Sequence, residues 1–422
     1  MHRKLLLLSA LCAEAFAQMP PMPNMPGMSG MGGMSHMNMN RAGMYLMNMS
    51  SGTAMNPYSW KMPMKMTEAG TWNLMFMSQV FLVNTQQSGP RGADKFYSTN
   101  WFMASAIHKV GRGSLMLTAM VSLEPATITN RSYPLLFQTG ETAFGRPLVD
   151  AQHPHDFIMS LSADFAYPLN RDTMLQLYYA PVGDPALGPV AFPHRASAME
   201  LPQATLGHHW QDSTHIANNV ATVAMRDKWF RLEGSGFYGS EPDENRWNID
   251  WGPMNSWAVR VSAAPTQNWL AQVSTGHLTK PERQEEGDVQ RTTASLQYSR
   301  PMDNGTSWST SLIWGRNHEL LTHRNVDGYL LETLYPVTRR NFLTGRVEVV
   351  DKDELALPAS LGTTFRIRTF IAGYTRDIVT FHGIETGIGA NASTYGIPSV
   401  ITPYYGNHPW GVNMYLRLRL RQ

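Results

Sequence analysis

The stretch Val412-Asn-Met-Tyr-Leu-Arg-Leu-Arg-Leu-Arg421 decides how the rest of this chain is read. Val412, Met414, Leu416, Leu418 and Leu420 fall on one face of an extended chain. Asn413, Tyr415, Arg417, Arg419 and Arg421 fall on the other. A two-residue period is that of a β-strand with one apolar and one polar side. The pattern suits a strand whose leucines touch lipid and whose arginines line water.

Working back from this strand, the same alternation recurs to Thr71. Strands are predicted at 71–83, 97–110, 114–123, 156–167, 172–181 and 214–225. More follow at 228–238, 256–264, 268–277, 290–300, 306–316 and 328–338, and the last four at 341–351, 364–375, 379–391 and 411–421. That makes sixteen, an even number as bacterial outer-membrane barrels require. The connections alternate between short turns, such as Gly111-Arg112-Gly113, Arg226-Asp227 and Arg376 to Ile378, and long ones. The long ones are 84–96, 124–155, 182–213, 239–255, 278–289, 317–327, 352–363 and 392–410. Short periplasmic turns and long external loops are the rule for such barrels, and an N-terminus in the periplasm gives this order. Trp72, Trp101, Trp229, Trp251, Trp257, Trp269, Tyr404, Tyr405 and Trp410 stand near strand ends, where interfacial girdles form. The fold class expected is all-β: a transmembrane outer-membrane barrel of sixteen antiparallel strands over residues 70–422.

Composition agrees. Charged residues are 16% of the 422, well below the roughly 25% of soluble domains. The mean hydropathy is only −0.28, and no run of apolar residues is long enough for a membrane helix. The net charge of +2 gives no argument for nucleic acid. At the start, His2-Arg-Lys4, the apolar Leu5 to Leu11 and Ala15-Phe16-Ala17 read as a secretory signal over residues 1–17. Cleavage there removes Cys12, the single cysteine, and leaves a mature chain without disulfide or thiolate chemistry.

Residues 18–69 are predicted to be a disordered Met-rich arm in the periplasm. Met19, Met22, Met25, Met28, Met31, Met34 and Met37 recur every third residue among Pro, Gly, Ser and Asn, with His36 beside them. Pro and Gly forbid a stable helix there. Thioethers at this spacing can wrap soft Cu(I) or Ag(I); a flexible linker of drifting composition is the alternative.

The densest polar chemistry lies between Asp150 and His215. His153, His155, His194, His208, His209 and His215 are six of the 14 histidines, and Asp156 and Asp212 stand among them. In the predicted layout these groups fall on the second and third long loops, joined by one hairpin, and so share one rim. Three readings compete. Neutral imidazoles and a carboxylate can hold a transition metal. Hydrogen-bonded His and Asp can pack the two loops together and plug the pore. Asp212, Ser213 and His215 could act as a hydrolytic triad, but a triad needs groups converging from separate places. Arg260, Arg291, Arg346, Arg366, Arg368, Arg417 and Arg419 either form a cationic lumen or pair with Glu233, Glu332, Glu348 and Glu385; pairing is the commoner arrangement in a filled lumen. Glu282-Arg-Gln-Glu-Glu286 reads as a solvated loop.

The phrases His153-Pro-His-Asp156, Gly188-Pro-Val-Ala-Phe192 with Ala198-Met-Glu200, His208-His-Trp-Gln-Asp-Ser-Thr-His215, and Arg346-Val-Glu348 with Lys352-Asp-Glu354 resemble a family of uncharacterised bacterial outer-membrane barrels over most of residues 70 to 422. The order of parts, a Met-rich arm ahead of a barrel, resembles copper resistance protein B. That resemblance implies copper as the bound or transported ion. The combined expectation is a non-enzymatic barrel in the outer membrane of a Gram-negative bacterium, in contact with lipid, that binds or passes a transition metal, copper first. The alternative is a general or anion-selective porin with His/Asp-rich constricting loops.

Overall fold

The computed structural model describes residues 39–282, 286–361 and 364–421. Sixteen antiparallel strands close into one barrel, running from Trp72–Gln87 to Trp410–Leu420. Each of the sixteen expected strands is present. The barrel closes where the last strand meets the first, Gly411 opposite Gln87 through Arg419 opposite Gln79. Below Gln79 that pairing passes to a short strand, Lys65–Ala69, which folds back on Trp72–Phe76. The φ of +60° at Gly70 permits that reversal.

Alternation follows the pleat. In the last strand Asn413, Tyr415, Arg417 and Arg419 are buried inside the barrel, and Trp410 and Met414 are exposed on the outside. Leu312, Val273, Val223 and Leu331 are likewise exposed on the outer wall, as lipid contact requires. Leu312 sits mid-strand in Ser307–Glu319. Leu312→Arg is expected to destabilise the folded barrel in bilayers by about 2–4 kcal/mol, the range for a charge facing lipid at the midplane; a urea refolding midpoint equal to the parent's would contradict this outward placement. Trp229, Trp251, Trp257, Trp269 and Trp410 are exposed as girdle residues would be, whereas Trp101 and Tyr405 are buried.

Three local readings change. The fourteenth strand runs to Phe381 and turns at His382-Gly383, not at Arg376 to Ile378. Both residues of that turn have positive φ, +48° and +79°, the geometry of a two-residue hairpin turn. The alternation of Phe157, Met159, Leu161, Phe165 and Tyr167 predicts a lipid-facing row, but Met159 is buried within. The pairing slips at Met120/Val121, which pair with Ser160 and Ile158, and one extra residue reverses the side-chain alternation. The connection 320–324 is no longer than the turn at 302–306, so the contrast of short and long fails there.

The barrel is filled. The residues expected to end the disordered arm, 39–69, are folded. Arg41–Leu46 is a helical turn capped by the Asn40 side chain, and Met49–Ser51 pairs with Ala54–Met55. Burial of Tyr45, Leu46, Met49, Met55 and Met64 against wall residues such as Met75, Met77, Met116 and Met174 supplies the driving force. Tyr45 donates to Gln176 and Asn56 to the His194 carbonyl, 2.8 and 3.0 Å. Asn40 and Arg41 bond to the carbonyls of Gly113 and Asn170, at the rim of the short turns. The signal and the arm residues Met22, Met25, Met28, Met31, Met34, His36 and Met37 lie outside the described residues.

Candidate functional site: an inserted loop and its histidines

The third long loop, 184–216, is buried almost along its whole length. It enters the barrel from the long-loop rim and is fastened by charge. Arg195, fully buried, donates to Asp212 of its own loop and to Glu332 of the wall, both at 3.0 Å. Glu332 also receives Arg346 at 2.6 Å. Glu200 of the loop pairs with Arg417 and Arg419, which reach Glu385 as well. Arg260 pairs with Glu233 at 2.8 Å and with the Gly188 carbonyl of the loop at 3.0 Å. Arg260, Arg346, Arg417 and Arg419 are thus compensated, as the pairing reading expects, and the carboxylates and the inserted loop occupy the space around them. Arg291 bonds instead to Asn317 and Ser213, and Arg366 and Arg368 are exposed rather than lumenal.

The second loop brings a hairpin, Tyr133–Ala143 with Arg146–Gln152, over the third. Tyr133 stacks on Tyr97 at 4.3 Å, and Phe137 on Tyr405 at 4.3 Å. Gly140 of this hairpin has φ +106°, and a Cβ there would stand 2.4 Å from the His209 ring. Gly140→Ala is therefore expected to displace His209, which a shift of its ring resonances in solution NMR would report.

The structure brings five of the six histidines into one file. Ring centroids are 6.2 Å apart for His153 and His209, 5.4 Å for His209 and His208, 5.1 Å for His208 and His215, and 5.4 Å for His215 and His155. His194 stands apart against Trp101 at 4.5 Å. Most of these rings already have partners. His155 Nδ1 lies 3.0 Å from Glu124, His208 Nδ1 2.6 Å from Asp212, and His215 Nδ1 2.9 Å from the Asp212 carbonyl. His153 Nε2 is 3.1 Å from Glu141, and Asp156 is turned to Arg246. Burial pushes the His153 and His194 imidazoles down to about 3 and His215 well below its ordinary value, so they stay neutral. Burial pushes the Asp212 carboxyl up, but His208 and Arg195 outweigh it and hold it at about 2. His209 is the exception. Burial lowers it, yet the Glu241 and Glu282 carboxylates prevail and raise it to about 10.

Ser213 Oγ accepts from Arg291 at 2.8 Å, and no hydrogen bond joins Ser213 to His215 among the described residues. The hydrolytic arrangement is not assembled. Glu282, read as solvated, is turned inward with 15% of its side chain exposed, toward His209. Neither Glu241 nor Glu282 carries a local motif, so only the fold reveals them.

Below the histidine file lies a cavity of about 50 Å³ lined by Met47, Met49, Met75, Met77, Met103, Met116, Met120 and Met159, with His194 and His215 at its edge. Five of these methionines belong to the wall strands 72–87, 94–110 and 113–121, where inward apolar positions had been read simply as strand residues.

No family model matches the sequence, and no curated protein matches it. Solved structures do. OmpF of Salmonella typhi, in complex with daunomycin, superposes with TM-score 0.53 at 7% identity, over 84% of this chain and 100% of that one. The likeness is one of fold. The anion-selective porin from Comamonas acidovorans gives TM-score 0.51 at 10% identity over 83% and 100% of the two chains. Pseudomonas putida OprB gives 0.51 at 8% identity over 83% and 94%. With no matching family model, the two resemblances noted in the sequence rest on motif and order of parts.

Proposed function

We propose that this protein is a non-enzymatic porin-type channel of the Gram-negative outer membrane, with a lumen closed by loop 184–216 from one rim and residues 39–64 from the other. The observation that carries this is the loop itself, threaded into a sixteen-stranded barrel and buried along nearly its whole length. A barrel of this size otherwise holds an aqueous channel. The placement of Asn40 and Arg41 beside the short turns supports a periplasmic arm. Lipid meets the outer wall. Planar-bilayer recording of the purified protein is expected to show steps well below those of an open porin; large, persistently open steps would refute the closed lumen.

A second reading has its own support. Eight thioethers and two imidazoles around one cavity form a soft donor set, suited to Cu(I) more than to a harder ion. On this reading the protein passes a transition metal, copper first, and the arm and histidine file handle it on either side. Titration of the full chain with Ag(I) as a soft probe is the check. Because the arm carries thioethers of its own, the decisive quantity is the number of Ag(I) bound: an unchanged stoichiometry when Met77, Met103 and Met120 are replaced by leucine would sink it.

A further inference from the structure

His209, on the inserted loop, meets two carboxylates from separate loops. Glu241 belongs to the connection 239–255 and Glu282 to the connection 279–288. His209 Nδ1 lies 3.4 Å from Glu241 Oε1 and 3.5 Å from Glu282 Oε1. One ligand atom from each residue lies within 4.8 Å of the others, the only such group of three among the described residues. A charge-assisted N–H···O bond runs at roughly 2.7–2.9 Å, so these separations are too long for bonds of that kind. They do match the edge of a coordination tetrahedron. With metal–nitrogen and metal–oxygen bonds of roughly 2.0–2.2 Å, adjacent ligands of a four-coordinate zinc stand about 3.4 Å apart.

An independent observation points the same way. Both ring nitrogens of His209 and both carboxylate oxygens of Glu241 are buried with no hydrogen-bond partner among the described residues. Their side chains are 5% and 8% exposed. Buried polar atoms are nearly always satisfied. His209 Nδ1 and Glu241 Oε1 meet each other only at ion-pair distance, and His209 Nε2 and Glu241 Oε2 are left without a hydrogen bond at the same spot, as a missing ligand would leave them. Gly140 closes one side of the His209 ring. The other side opens on a cavity of about 270 Å³, lined in part by Glu282, Asp353 and Glu354. That gives water room to complete a coordination shell; Asp353 and Glu354 add carboxylates there, beside the cations Arg291 and Lys352.

We propose that His209, Glu241 and Glu282 form a binding site for a divalent transition-metal cation at the long-loop rim. Its mixed imidazole and carboxylate donors suit zinc(II) best. The site differs in donor chemistry from the methionine cavity, and it stands whether or not the barrel conducts.

Zn(II) titration of the full chain in detergent, followed by calorimetry and with Co(II) as a spectroscopic probe, tests it. One zinc per barrel is expected. Glu241→Gln and Glu282→Gln should each weaken binding by about tenfold or more. Glu244→Gln, on the same loop as Glu241 but paired with Arg131, should bind as the parent does. Glu282 is the more exposed of the two, 15% against 8%, so its variant decides the matter if Glu241→Gln fails to fold. Equal zinc affinity in all three variants overturns the proposal. So does zinc binding abolished by His323→Ala, which would assign the metal to the neighbouring rings of His318 and His323.

Discussion

Replacing residues 184–216 by an Asn-Gly turn is expected to raise single-channel conductance by roughly tenfold or more, since a bare sixteen-stranded barrel leaves an aqueous channel. The excision is geometrically clean. Gly183 and Ala217 are paired across the hairpin, and two residues with positive φ suffice to join such partners. Wall charges that lose their loop partners, Glu332 and Arg417 among them, would then face water, where an unpaired charge costs little. Residues 39–64 still fill the short-turn end, so removing them as well should give the larger step. A folded double deletion that conducts no better than the parent would mean that the loop and segment do not close the pore.

Arg195→Ala is expected to be far more damaging, although it removes a single side chain. It removes the guanidinium shared by Asp212 and Glu332 in the filled lumen, leaving Asp212 to His208 and Glu332 to Arg346. Breaking a buried pair from one side costs about 3–5 kcal/mol when the remaining charge is left alone, and the retained partners set this loss at the lower end of that range. The heat- or urea-unfolding midpoint of the barrel should fall accordingly. Arg366→Ala is the control. Arg366 pairs with Asp351 but is 53% exposed, and exposed pairs contribute up to about 1 kcal/mol. Similar losses in the two variants would show that Arg195 is not held in a dry lumen. The double change Arg195→Met with Asp212→Asn should recover part of the loss by removing that pair's charges together, while Glu332 keeps Arg346.

The two predictions separate what was readable from what was not. The alternation Leu-Arg-Leu-Arg near Leu416 is a local signal, and it placed the last strand to within a residue at each end. The His382-Gly383 turn was also local; it was missed because Arg376 to Ile378 offered a competing polar break, and past a register shift at Asp377/Val379 the residues 378–381 are all exposed and lose the two-residue period. Met159 shows the limit of pattern alone. A slip in the pairing turned it from lipid to lumen, and no residue in the sequence around it marks that slip.

By itself the sequence determined the wall: sixteen strands, their faces, and the two loops that carry the histidines. Lipid outside and a polar interior impose a two-residue period that each strand displays independently of its neighbours. Only the tertiary structure decided what fills the lumen, that residues 39–64 fold there, and that Glu241 and Glu282 converge on His209. Those contacts join residues from separate loops and strands, such as Arg195 with Glu332. Their choice depends on which buried charges meet with water excluded, and the spacing of residues along one segment carries no trace of that choice.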